Sequence, residues 1–336
     1  MVTKRDVALD LGTANTLVYQ AGRGIVFDEP TVVAVNRSGE VLAVGHEARE
    51  LLDRSPGDAI PVRPLKRGAV TDFDLARQMV RMVFRRIGVG RFTKPKVLVC
   101  VPSALTPVER RAVEEAVVSA GAKSAALVDE PLAAAVGAGL PIHEPVGNLV
   151  VDVGGGTSEI AVVAMGGMVL AMSIPVGGMD MDEAIQHYVR TRHGVVIGER
   201  AAERLKIELG SAYPAADARA TDVRGREMGS GTPTMVTLAP EEVREALTNV
   251  VVSIVAATRD ALAESPPDLA QDVLETGLFL TGGGALLRGL PIRLAQECEV
   301  PVHITEEPLR TVVLGAGHLL DSLPDYGPFL AGHRSA

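Results

Sequence analysis

The chain has 336 residues, 47% of them apolar and 22% charged, which supplies two sizeable cores and excludes a wholly disordered chain. Thirty-three basic and 42 acidic residues leave a formal charge of −9 with no long basic block, which argues against a nucleic-acid partner. The seven histidines form no metal-ligand spacing, and Cys100 and Cys298, without a CxxC pattern, read as buried thiols of a reducing compartment.

Met1 to Asp6 runs straight into an apolar strand, so no signal peptide is expected. No apolar stretch is read as reaching the ~20 residues that cross a bilayer, and the chain is expected to be soluble or peripheral.

Val7 to Leu11 and Thr16 to Gln20 flank a glycine-containing turn, the pattern of a hairpin. Thr31 to Val35 and Val41 to Val44 flank Ser38-Gly39 as a second hairpin, followed by a short helix from His46 to Asp53. Leu75, Met79, Val80, Val83, Phe84 and Ile87 make the apolar stripe of a helix over Asp72 to Ile87. The pattern then becomes α/β: a strand at Val97 to Val101, a helix from Thr106 to Ser119, a strand at Ala125 to Val128, and a helix from Pro131 to Ala138.

Asn148 to Val151 and Ser158 to Ala164 repeat the opening theme around three glycines, and Met168 to Ile174 follows as a strand. Helices are predicted at Asp182 to Arg192 and at Glu199 to Leu209, the latter with Ala201, Leu205 and Leu209 inward and Gly210 as a left-handed cap. The polar stretch from Tyr213 to Pro233 reads as hairpins or loops. A long helix over Glu241 to Ala263, a strand at Gly277 to Leu280, a helix over Leu286 to Glu297 and a strand at Val302 to Ile304 complete the pattern. The fold class is α/β, with mixed sheets in two lobes.

Three glycine loops carry the chemistry. In Asp10-Leu11-Gly12-Thr13-Ala14-Asn15, small residues let backbone N–H groups approach phosphate oxygens, and Thr13 and Asn15 add side-chain donors; the same residues also suit a plain turn. In Asp152-Val153-Gly154-Gly155-Gly156-Thr157, consecutive glycines between buried strands imply a close backbone approach or a bulge. Leu278 to Ala285 runs through Gly282, Gly283 and Gly284, where a nucleoside can lie against backbone.

Asp10 and Asp152 hold matching places in the first two loops, where carboxylates beside a polyphosphate hold Mg²⁺ through water or cap their own turns. Glu130, at a strand end before Pro131, can orient or deprotonate an attacking water, or serve only as a first-turn acid. Glu203 and Lys206 can border a ribose and purine or form a solvated i, i+3 ion pair.

The order of these motifs resembles that of the actin, sugar-kinase and heat-shock-chaperone ATPases. Within that superfamily the strings ALDLGTANTLVY, RPLKRGAVTDF, VLVCVPSALTPVERRAV, DEPLAAAVGAGLP, VVDVGGGTSEIAVV, RAAERLKIELGSAYP and LTGGGALLRGLP are similar to the MreB/Mbl family. The resemblance implies an actin-like ATPase fold of two pseudo-symmetric lobes, each with a mixed sheet flanked by helices, plus two small subdomains. Lobe I would comprise 1–143 and 310–336, with a small subdomain about 33–65; lobe II would comprise 144–309, with one about 180–243.

It further implies a filament-forming cytoskeletal ATPase that organises cell-wall synthesis and cell shape beneath the cytoplasmic membrane, with ATP/ADP and Mg²⁺ as cofactors. Its partners would be other copies of itself, the cell-wall elongation machinery and the membrane surface, the last through Val89 and Phe92. Thr13, Ala14, Asn15, Gly155, Gly156 and Thr157 would hold phosphate. Glu203, Arg204, Leu205, Lys206, Gly282, Gly283, Gly284 and Ala285 would hold the nucleoside. Glu130 would be catalytic, with Thr157 helping to place the water, and Asp10 and Asp152 would hold the metal through water.

Two departures stand out. Relatives often carry an acid directly after Gly177-Gly178, whereas this chain has Met179 and then Asp180, and the N-terminal amphipathic helix of some relatives is not seen. A soluble small-molecule kinase on the same core is the alternative reading. A chaperone ATPase is not expected, because little sequence follows the third glycine loop to form a substrate module.

Overall fold

A computed structural model describes residues 5–54, 59–90, 94–214 and 219–322. The chain opens with β1 (Val7–Leu11), β2 (Asn15–Gln20) and β3 (Gly24–Pro30), then β4 (Val33–Val35), β5 (Val41–Val44), α1 (Gly45–Arg54), β6 (Ile60–Val62), β7 (Leu65–Lys66) and β8 (Ala69–Val70). It continues with α2 (Phe73–Arg86), β9 (Lys96–Val101), α3 (Pro107–Ala120), β10 (Ser124–Asp129) and α4 (Glu130–Gly137). The second half holds β11 (Asn148–Val153), β12 (Ser158–Ala164), β13 (Gly167–Ile174), α5 (Gly178–His193), β14 (Val195–Val196), α6 (Glu199–Leu209), β15 (Thr221–Glu227) and β16 (Pro233–Leu238). It closes with α7 (Pro240–Glu264), α8 (Pro267–Thr276), β17 (Leu278–Thr281), α9 (Leu290–Cys298), β18 (Val302–Ile304) and α10 (Thr311–Asp321).

The two main sheets have one topology. Strand order β3-β2-β1-β9-β10 in the first matches β13-β12-β11-β17-β18 in the second. In each, three strands form an antiparallel meander and the other two lie parallel to its first strand. Smaller sheets, β5-β4-β6 and β14-β15-β16, belong to the segments predicted as small subdomains.

Period-two alternation sorts the side chains into three cores. Val7, Leu9 and Leu11 of β1 face a core shared with α2 and α3. Leu149, Val151 and Val153 of β11 face another, built with α5, α6, α7 and α9. The alternate residues, Ala8, Leu98, Val150 and Ala161, face a third core between the sheets, filled by the alanines of α4 and by Val312, Ala316 and Leu319 of α10.

The helices start where their caps dictate. Asp72 accepts the Leu75 N–H at 3.0 Å to begin α2, and Thr106 with Glu109 forms a capping box ahead of Pro107 in α3. The glycines of α10 are required by contact. A Cβ on Gly315 would lie 1.8 Å from the Ala133 carbonyl oxygen, and one on Gly137 would lie 2.0 Å from that of Thr311, so α4 and α10 cross backbone to backbone. Gly315→Ala is therefore expected to destabilise the chain by about 1–3 kcal/mol. Thermal melting checks this, and an unchanged midpoint would contradict the packing.

Several expectations are corrected. β3, α8 and α10 are present where no element was predicted, whereas the hairpins or loops expected over Tyr213 to Pro233 include the β15–β16 hairpin, whose second strand runs on to Leu238. α5 starts earlier, at Gly178, and α9 later, at Leu290. Ala202 is the fully buried alanine of α6, and Ala201, expected inward, is partly buried against the same core. Gly210 has φ −55°, so it is no left-handed cap; a Cβ there would sit 2.2 Å from the Lys206 carbonyl oxygen. Among the described residues one helix, α7, is long and apolar enough to cross a bilayer, contrary to the sequence reading. Its apolar face, including Leu247, Val251 and Ile254, is buried in the second sheet's core. Val89 is half-buried against the first sheet's core, and Phe92 lies outside the described residues.

Candidate active site

The alternation that builds the third core also aims the polar residues. Asp10 follows Ala8, Cys100 follows Leu98, Asp152 follows Val150, and Glu130 follows Val128, each two positions along its strand or just beyond it. All four therefore face the space between the sheets. The parallel registers bring Asp10 opposite Cys100 and Asp152 opposite Thr281. Two meanders with matching topology thus deliver carboxylates to one cleft.

The first loop is tied down by its neighbours. Thr31 donates its hydroxyl to the Gly12 carbonyl at 2.7 Å and its N–H to the Ala14 carbonyl at 2.8 Å. A Cβ on Gly12 would meet the Asn15 carbonyl oxygen at 2.7 Å. Thr13 is buried and its hydroxyl accepts the N–H of Gly68, at the β7–β8 turn, at 3.0 Å.

The second loop meets the first directly. A Cβ on Gly155 would lie 2.6 Å from that of Ala14, and one on Gly156 would lie 2.8 Å from the Thr13 hydroxyl oxygen. Glycine at both positions is thus required by the opposing loop. The start of α5 docks behind: Gly178 and Met179 donate to the carbonyls of Gly154 and Gly155 at 2.9 and 2.8 Å. The acid displaced by one position also has a role, since Asp180 accepts the Gly177 N–H at 2.8 Å.

The third loop closes on the same strand end. A Cβ on Gly282 would sit 2.3 Å from Asp152 Oδ1, and Gly282 adopts φ +79°, a conformation that favours glycine. Arg288 ties this region to α6, donating to the carbonyls of Glu208 and Gly210 at 2.8 and 3.2 Å. Lys206 does not pair with Glu203; it donates to the Gly178 carbonyl at 2.9 Å and pairs with Asp182 at 2.9 Å. Leu205 is buried in the core, and Arg204 reaches the Asp222 carbonyl at 3.5 Å, so their side chains are not gathered with Lys206.

Electrostatics mark this cleft. Burial, with Asp28 nearby, pushes Asp10 up to about 7; burial, with Asp10 and Glu159, pushes Asp152 up to about 7. Burial and then Asp10 raise Glu130 well above the usual carboxylate range, and the same groups lift the Cys100 thiol. Such a concentration of acid fits a cation. Among the described residues no three acid, histidine or cysteine groups converge as a direct ligand cage. The pair Asp10 and Asp152 therefore suits Mg²⁺, which keeps several waters and binds through few carboxylates.

Glu159, Asp182 and the Arg67-Gly68 turn were not found from sequence. For Glu159 a signal existed: it is the one charged residue in the otherwise apolar run of β12, two positions beyond Thr157.

The sequence matches the MreB/Mbl protein family over residues 4–326. It is 46% identical over 329 residues to the cell shape-determining protein MreB of Escherichia coli (strain K12), covering 96% of this chain and 95% of that one. It is 44% identical over 321 residues to the cell shape-determining protein Mbl of Bacillus subtilis (strain 168), covering 95% and 96%. Crystal structures of MreB5 of Spiroplasma citri bound to ADP and to AMPPNP superimpose with TM-scores of 0.90 at 32% identity, over 96% of this chain and 98% and 97% of theirs. The paired sheets are the actin-like fold, and the chain belongs to the MreB/Mbl family.

Proposed function

We propose that the chain is an actin-like cytoskeletal ATPase that polymerises with ATP and organises cell-wall synthesis and cell shape. The observation that carries this reading is the convergence of two opposed glycine loops with Asp10, Asp152 and Glu130 in one cleft. Family membership and the nucleotide-bound relatives support it.

On this reading the Thr13-Ala14-Asn15 and Gly155-Gly156-Thr157 loops clamp the phosphates, with backbone N–H groups as the main donors. Lys206, Glu203 and the Gly282 to Ala285 turn border the nucleoside. Mg²⁺, when bound, neutralises developing charge on the phosphates, and Asp10 and Asp152 are the residues that would hold its waters. Glu130 orients the attacking water and takes its proton, while the Thr157 hydroxyl fixes that water from the other sheet.

The lobes divide as 1–143 with 310–336, and 144–309. The packing of α10 on α4 and the hydrogen bond from Tyr19 to Asp321 at 2.9 Å support assigning the C-terminal segment to the first lobe. We place the protein at the inner face of the cell membrane beside the elongation machinery, with Phe92 and the half-buried Val89 as the contact.

Sedimentation of the purified chain with ATP and Mg²⁺, with and without liposomes, tests the reading. Nucleotide-dependent polymers that co-pellet with lipid are expected, together with release of inorganic phosphate. A chain that stays monomeric in every nucleotide state would sink it, and phosphate transfer to a small acceptor would favour a kinase.

A further inference from the structure

Glu159 lies on β12, 1% exposed, in a strand whose every residue is buried. A carboxylate in such a place is costly unless its oxygens are hydrogen-bonded. Three donors meet it: the Ser103 N–H at 3.1 Å, the Ser103 hydroxyl at 2.5 Å and the Ser173 hydroxyl. Ser103 donates twice to Oε2 and Ser173 donates to Oε1, so both oxygens of the side chain are taken up.

These contacts cross the molecule. Ser173 is on β13 of the second sheet, next to Glu159, whereas Ser103 lies in the turn between β9 and α3 of the first. The Ser103 carbonyl accepts Arg110 Nη2 at 3.1 Å, and the same nitrogen pairs with Asp129, the residue before Glu130. A continuous polar chain therefore runs from β12, two residues after Thr157, across the cleft to the residue adjoining Glu130. It joins the residues that would hold one water from opposite sides.

Resting on the role given above to Glu130, we propose that Glu159 is a positioning residue for hydrolysis. By anchoring the Ser103 turn to the second sheet, it fixes Glu130 relative to Thr157. Its oxygens are engaged by Ser103 and Ser173, so its loss should act on the chemical step and spare binding.

The test uses the full chain with Glu159→Ala, which removes both oxygens, Ser103→Ala and the double variant. We expect each single change to lower phosphate release at saturating ATP by about ten- to hundredfold. Titration with a fluorescent ATP analogue should give dissociation constants within about threefold of the parent. The double variant should lose no more than either single one, because both break the same link.

Unchanged turnover in Glu159→Ala or Ser103→Ala, or losses that simply add, overturns the proposal. A fall in nucleotide affinity that accounts for the lost activity would mark a merely structural role and also overturns it. Should Glu159→Ala fail to fold, Ser103→Ala decides alone by the same split between turnover and affinity. Glu130→Ala serves as the control. If it hydrolyses normally, the reading of Glu130 fails; if it is inactive while Glu159→Ala is normal, only the role of Glu159 fails.

Discussion

Glu130→Gln is expected to slow ATP turnover by about 10²–10⁴-fold, the usual worth of a positioned general base. Nucleotide affinity should stay within a few-fold of the parent, since on the proposed reading the phosphate loops and the third glycine turn would hold the ligand without it. Glutamine keeps the length and shape of the side chain at the first position of α4, so the fold is spared. Phosphate release under saturating nucleotide, set beside a binding titration, measures both. Unchanged turnover would mean that Glu130 is only a first-turn acid, a role worth about 0.3–1 kcal/mol of helix stability.

The second large effect concerns stability, and its sign follows from the raised acids of the cleft. Asp10 and Asp152 titrate near 7 in the folded chain, against 3.8 for an ordinary aspartate. Between about pH 4 and pH 7 the folded state therefore binds more protons than the unfolded one, so stability falls as pH rises through this window. Below it the two groups have no effect, and above it their full cost is present.

Asp152→Asn removes one of these charges from a 5% exposed site. The nucleotide-free variant should gain on the order of 1–3 kcal/mol at pH 8, raising its melting temperature by a few degrees. Its stability should also depend less on pH between 5 and 8. Nucleotide binding with Mg²⁺ should weaken in the same variant, a trade of stability against function. Melting curves across pH, with and without Mg²⁺ and ATP, test all three. A variant less stable than its parent at pH 8 would refute the assignment of burial and repulsion as the dominant effects at this carboxylate.

The strands that carry the loops were legible because alternation and glycine punctuation are local signals. Loop positions, Glu130, the paired aspartates and the helices α2, α3 and α6 were therefore placed correctly along the chain. Elements shaped by contact were harder to read. α10 contains Gly315 and Gly317, poor helix formers that become necessary once Gly315 meets α4 and Gly317 meets the Tyr19 ring. β3 carries Asp28 and Glu29, which interrupt an apolar pattern but serve as partners, Asp28 for Arg310 and Glu29 for Arg86.

The same holds within the site. The spacing of Glu203 and Lys206 suggested a pair along one helix, yet Asp182 of α5 stands closer once α5 and α6 pack together. Gly155 and Gly156 signalled a close approach, but sequence could not name the opposing loop as what approaches. Glu159 escaped notice because its meaning lies in Ser103, 56 positions away.

The crossing of α4 and α10 has a mechanical consequence. Where Gly137 and Gly315 let backbone lie on backbone, and Val312, Ala316 and Leu319 pack beside the alanines of α4, the two helices are locked into one piece. That piece sits between the two sheets. At the rim, Arg63 meets Glu199 at 3.4 Å and Arg200 reaches the Arg49 carbonyl at 3.3 Å, through exposed groups that part easily. A stiff centre with a loosely latched rim would let a few degrees of turning between the lobes change the outline of the whole subunit, and that outline is what a neighbouring copy would meet.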